Sequence, residues 1–129
     1  MNDPITSKII AAAYKVHNTL GFGFWEKVYE NAMCIELKKN GLTVVQQGSL
    51  TVFYDEHIVG SFQMDLLVAD QIIVELKSVR QLVEEHEVQL VNYLTATKTD
   101  VGLLINFGPS KVDIKRKYRL FQQKDSVEE

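Results

Sequence analysis

Two apolar runs flank Asp70, and each carries ionisable groups where a buried strand ordinarily has none. Asp65-Leu66-Leu67-Val68 precedes it, and Ile72-Ile73-Val74-Glu75-Leu76-Lys77 follows it. The runs are rich in branched side chains and Ala69-Asp70-Gln71 reads as a turn, so the pattern predicts an antiparallel hairpin. With an odd-numbered loop centred on Asp70, residues equidistant from it lie opposite each other. Asp65 then faces Glu75, and Lys77, two residues further, projects from the same face as Glu75. A two-residue turn would shift the register and separate these side chains.

Two facing carboxylates repel each other unless a positive charge lies between them. Hard oxygen ligands suit Mg²⁺ and Mn²⁺, and Lys77 at the same site can orient a water or meet charge developing on a phosphate. Ionised groups within apolar runs are costly unless paired or metal-bound. A bare Glu-x-Lys tripeptide is short and common, and it equally fits a solvated sheet face. Asp65, ten residues upstream of Glu75, gives the functional reading its weight.

The chain around this hairpin is long enough, at 129 residues, for one compact domain with its own core. The expected division is a single domain over 1–121 and a polar tail from Gln122 to Glu129. Asp3-Pro4 reads as a helix start, with Ile9, Ala13, Val16 and Leu20 at helical spacing and Gly21 as the stop. A second helix is expected from about Phe24 to Lys39. Thr43–Val45, Leu50–Tyr54 and Ser61–Val68 read as strand segments, with Asp55-Glu56-His57 as a turn. A third helix from about Val83 to Thr97 should bury Val83, Leu90, Val91 and Leu94. Val101–Phe107 reads as a buried strand, and Lys111–Tyr118 as a final one. The sum is an α/β fold, a mixed central sheet flanked by helices.

The formal net charge of −3 argues against a general nucleic-acid coating protein and leaves room for a local contact. Lys111, Lys115, Arg116, Lys117 and Arg119 form the one notable basic cluster, which fits either phosphate contacts or a solvated terminal strand. A single cysteine, Cys34, excludes an intramolecular disulfide and reads as a small core side chain. No signal peptide and no membrane-length apolar run is apparent, so a cytoplasmic protein is expected. His17 reads as a hydrogen-bonded core histidine, and His86 has no second histidine at ligand spacing.

Gly23-x-x-Glu26-x-x-Tyr29 resembles the signature of the GxxExxY family, within the PD-(D/E)XK nuclease superfamily. Asp65-Leu66-Leu67-Val68, Ile73 to Lys77, Gln89-Leu90-x-Asn92-Tyr93-Leu94 and Gly102 to Gly108 extend the resemblance over roughly Ile5 to Arg119. It implies that Asp65 and Glu75 bind the metal, with the Leu76 carbonyl as a further ligand and Lys77 as catalytic lysine. It further implies that Glu26 assists the metal site and that Gln89 and Tyr93 touch substrate or water. Met64 stands where the superfamily motif has proline, and Phe22 replaces the proline of the family's Gly-Pro-Gly in Gly21-Phe22-Gly23.

The reading that follows is an Mg²⁺- or Mn²⁺-dependent phosphodiesterase acting on DNA or RNA. The competing reading is a catalytically inactive module that keeps the fold to bind nucleic acid or protein, and a smaller phosphate ester is a third substrate class. A homodimer is also expected, with Phe22, Phe24 and Trp25 as a contact surface or else packed under the first helix.

Overall fold

A computed structural model describes residues 3–120. Helix α1 (Pro4–Leu20) and helix α2 (Glu26–Lys39) come first. Strands β1 (Val44–Tyr54), β2 (His57–Val68) and β3 (Ile72–Lys77) follow, then helix α3 (Glu84–Thr97) and strands β4 (Val101–Phe107) and β5 (Val112–Tyr118). The expected tail from Gln122 lies outside the described residues.

The five strands form one sheet in sequence order. Neighbours are antiparallel except β3 and β4, which run parallel and are joined by the α3 crossover. Strands covered on both faces need continuous apolar runs. That is how β3 and β4 read: every residue from Ile72 to Leu76 and from Gly102 to Phe107 is buried. Helices α1 and α2 cover one face, where Ile9, Val16, Tyr29, Met33 and Leu37 pack on Leu66, Val74, Leu76, Ile105 and Phe107. Helix α3 covers the other with Leu90, Tyr93 and Leu94 on Ile73 and Leu104. Gly102 permits this close approach, because a Cβ there would lie 2.9 Å from Leu90 Cδ1 and 3.1 Å from the Ile73 carbonyl oxygen.

Asp3 caps α1, its Oδ1 accepting from the Ile5 amide at 2.9 Å, and Pro4 opens the helix as its sequence predicts. His17 Nε2 lies 2.7 Å from the Gly108 carbonyl oxygen and its ring stacks on Phe107, so it is a satisfied, partly buried histidine. Four expectations are corrected. Helix α2 begins at Glu26, because Gly23 (φ 113°) and the extended Trp25 hold the chain out of helix up to that point. The two segments expected at Thr43–Val45 and Leu50–Tyr54 are one strand, Val44–Tyr54, with a kink at Gln47 and a shift of register between Val52 and Phe53. The turn expected over Asp55–His57 is the two residues Asp55 and Glu56, and His57 already pairs with Tyr54. In α3 Val83 is an exposed helix-capping position and Val91 is only half-buried, so the core face is Leu90, Tyr93 and Leu94.

That kink decides where the site lies. Gln46 pairs with Leu66 and Gly48 with Met64, while Gln47 between them has φ 56°. On one side the even-numbered Val44, Leu66 and Val68 pack against α1 and α2. On the other side the even-numbered Leu50, Val52 and Met64 pack toward α3. Across Gln47 and Asp65 the β1–β2 arm therefore exchanges its faces. Its ladder with β3 ends at the same place: β2 pairs with β3 only over Leu66–Val68, whereas β3 continues along β4 to Lys77.

Candidate active site

The register is the one the loop around Asp70 requires: Leu66 pairs with Val74, Leu67 with Ile73 and Val68 with Ile72. Ala69 and Asp70, both at positive φ, make the turn. One step beyond Leu66 and Val74 the backbone ladder stops and side chains replace it. The Asp65 amide donates to Glu75 Oε2 at 2.8 Å, and the Leu76 amide donates to Asp65 Oδ2 at 2.8 Å. Each carboxylate thus spends one oxygen on the opposite strand and keeps the other. The split that would orphan two buried backbone amides is closed by the two acidic side chains themselves.

Glu75 is 8% exposed, and burial together with the charge of Asp65 pushes its carboxyl up to about 8. The Asp65 amide and the Lys77 charge act in the opposite sense. Burial also raises Asp65, helped by the charges of Glu30 and Glu26 and opposed by the Leu76 amide. Glu26, at the first position of α2, is exposed but close enough for its charge to act on both acids. Lys77 is half-buried on the Glu75 face of β3, and its ammonium makes no hydrogen bond among the described residues. Just beyond it, the buried Asn106 side chain clamps the chain by accepting from the Val79 amide at 2.9 Å and donating to the Val79 carbonyl at 2.8 Å.

Glu30 lies one helical turn after Glu26 on α2. It is 4% exposed and fully engaged. Lys27 Nζ and Gln46 Nε2 donate to Oε2 at 3.1 and 2.8 Å, and Gln47 Nε2 donates to Oε1 at 2.7 Å. Gln47 also lies 3.5 Å from Asp65 Oδ1, too long for a strong bond. Glu30 therefore braces the kink beside Asp65 rather than offering a free oxygen.

The unengaged oxygens of Asp65 and Glu75 are the donors left for a cation. Among the described residues no three His, Cys, Asp or Glu side chains are grouped to hold a metal by themselves. Mg²⁺ fits this sparse set, because it is commonly held by one or two carboxylates plus water and substrate phosphates. The two raised carboxyl groups point the same way, since a dication would offset the charge that burial penalises.

A family model of the PD-(D/E)XK nuclease superfamily matches residues 3–117. This chain belongs to that superfamily. Four chains of known structure match it, among them SSO0001, with a TM-score of 0.61 at 15% identity. The match covers 79% of this chain and 54% of SSO0001, so this chain spans about half the length of that relative, and the likeness is one of fold. No curated protein matches.

Asp65, Glu75, Leu76, Lys77 and Glu26 come together where β2 leaves β3. Gln89 and Tyr93 join them from α3: Gln89 Nε2 donates to the Tyr93 hydroxyl at 2.8 Å. Burial raises Tyr93 above the ordinary phenol value, with the Glu75 charge as the next cause. The same two residues line a groove of about 550 Å³ between α3 and the β1–β2 arm, floored by Leu50, Val52 and Phe62. The basic residues lie elsewhere. β4 separates β5 from β3, and Lys117 and Arg119 bind Glu87 and Asp100 at 2.9 and 2.8 Å. Lys111 and Lys115 are exposed, and strand alternation turns Arg116 away from Lys115 and Lys117. Among the described residues no helix is long and apolar enough to cross a membrane.

Proposed function

We propose that this superfamily member is a Mg²⁺- or Mn²⁺-dependent nuclease of the GxxExxY branch, hydrolysing phosphodiester bonds in DNA or RNA. The observation that carries this reading is the crossed pair of Asp65 and Glu75, two desolvated carboxylates that each spend one oxygen across the strands, with the Lys77 charge acting on Glu75. Members of this superfamily typically use divalent metals. Bound there, such a metal would polarise the phosphate and lower the pKa of a water.

The remaining roles belong to the chain. Asp65 and Glu75 would hold the cation, with the Leu76 carbonyl as a further ligand. Lys77 directs the attacking water and meets charge developing on the phosphate. Glu26 sustains the negative potential that draws a cation in. Gln89 and Tyr93 contact the substrate strand from α3. The water oxygen bonds to phosphorus as the bond to the leaving sugar oxygen breaks, and the departing oxygen ends protonated. Lys111, Lys115, Arg116, Lys117 and Arg119 serve as peripheral phosphate contacts rather than as part of the reacting centre. The same reading puts the enzyme in the cytoplasm, where a lone buried thiol stays reduced, and a homodimer would be tested by sedimentation.

The test is twofold. Calorimetric titration of Mn²⁺ into metal-stripped wild type should show saturable binding that Asp65→Asn abolishes. Cleavage of single-stranded and duplex DNA and RNA should fall by at least about a hundredfold in Asp65→Asn and Lys77→Ala. Undiminished cleavage in both variants would overturn the assignment. Mn²⁺ binding in wild type without any hydrolysis would leave the fold as a nucleic-acid or protein binding module.

A further inference from the structure

The residue before Glu26 is Trp25, and its indole is 85% exposed. It occupies the N-cap of α2, where Ser, Thr, Asp or Asn would satisfy an orphan amide, and its side chain makes no capping bond. Both the helix terminus and the large apolar surface forgo stabilisation at this one position.

The loop that presents it is nonetheless firmly held. The Tyr29 hydroxyl donates to the Gly21 carbonyl and lies 3.4 Å from the Phe24 amide. Ser78 Oγ donates to the Phe24 carbonyl at 2.9 Å, tying the loop to the residue after Lys77. The Phe24 ring meets Tyr29 edge-on, and Tyr29 stacks on Phe107 at 4.4 Å between centroids. Gly21 and Gly23 supply the positive φ that this path requires. The outcome is a cleft of about 330 Å³ formed by Gly23, Phe24, Trp25, Glu26 and Ser78, among which the Glu26 charge acts on both Asp65 and Glu75 and Ser78 directly follows Lys77. An aromatic left in water on a firmly held loop, next in sequence to Glu26, breaks local rules with no gain in packing, the pattern expected of a functional position.

We infer that Trp25 and this cleft form a stacking subsite for an unpaired nucleobase adjoining the scissile phosphate, so that the substrate is single-stranded at that position. The inference rests on the nuclease reading above and adds to it the form of the substrate. The occupant is a base rather than a phosphate, because the cleft offers an aromatic face and the Glu26 carboxylate. Every base has a π-face, so stacking here selects for strandedness and not for sequence. A base held inside a duplex cannot reach the indole without unstacking.

Trp25 is the chain's one tryptophan, so its emission reports on this subsite directly. A fluorescein-labelled oligothymidylate and a duplex of equal length are titrated into the full chain with Ca²⁺ present, following indole emission and label anisotropy together. The expected result is quenching that saturates with the anisotropy for the single strand and is absent for the duplex. Trp25→Ala should weaken single-strand binding by about tenfold, from the loss of one stacked base. Trp25→Phe should restore most of it, and duplex binding should not change in either variant. Single-strand binding without quenching, or with unchanged affinity in Trp25→Ala, overturns the subsite and leaves the nuclease reading standing. Indole emission that shifts with protein concentration alone makes Trp25 a contact between copies and likewise overturns it. Absence of binding to either strand removes both readings.

Discussion

Burial and the Asp65 charge hold the Glu75 carboxyl at about 8, against an ordinary value of 4.5. Between those values the folded chain keeps a proton that the unfolded chain has released. Stability therefore falls as pH rises through that window. Glu75→Gln removes the titration while keeping an acceptor for the Asp65 amide. The variant should match wild type near pH 4.5 and exceed it by on the order of 3 kcal/mol at pH 8. Denaturant midpoints at several pH values measure this, and a gap that does not open with pH would mean that Glu75 is ionised throughout. The conflict is legible in the sequence because an acid amid Ile73, Val74 and Leu76 needs a partner, and Asp65 was placed by counting from Asp70. Glu30 was not legible. Its helix spacing says only that it shares a face with Glu26, while its partners Gln46 and Gln47 come from a strand 16 and 17 residues away.

Elements were read best where a single period or cap governs them. The Asp3-Pro4 start of α1 and the doubly buried β3 and β4 depend on neighbours in sequence. Where tertiary packing decides, sequence falls short: Gln46-Gln47-Gly48 looks like a break, yet β1 continues through it because Glu30 holds the kink from α2. The far end of the same hairpin yields a prediction. Asp55 and Glu56 sit at φ 49° and 67° between the paired Tyr54 and His57, the geometry of a two-residue turn with both central residues left-handed. Such turns favour Asn-Gly, because a side chain at positive φ is strained. Asp55→Asn with Glu56→Gly should stabilise the protein by about 1 kcal/mol, raising Tm by about 3–6 °C in a thermal melt. The turn lies roughly 30 Å along the strand from Asp65, so Mn²⁺ affinity should not change. A fall in affinity would mean that the arm's twist is transmitted to the acid pair.

At the scale of the whole molecule, the sheet is stable as a sheet except at one place, where β2 parts from β3 and two acidic side chains fill the backbone gap. The molecule accepts the cost of two desolvated carboxylates there, and a cation that binds only the folded state should return it. The return follows RT ln(1 + [L]/Kd), about 2.7 kcal/mol at a hundredfold excess over Kd, which for a chain of this size is a Tm rise of about 8–16 °C. Protons compete with the cation for Glu75, so the rise from a fixed Mn²⁺ concentration should grow as pH climbs toward 8 and level off above it. Asp65→Asn should show no rise, because one of the two free oxygens is lost as a charged ligand. Glu75→Gln, already relieved of its buried charge, should begin at a higher Tm and gain nothing further from Mn²⁺. The two stabilisations are thus alternatives for the same buried charge, and their failure to add in a melt of wild type and variant, each with and without Mn²⁺, is the signature to seek. Equal Mn²⁺ shifts in all three proteins would place the cation elsewhere and leave the crossed carboxylates as a purely structural closure of the split sheet.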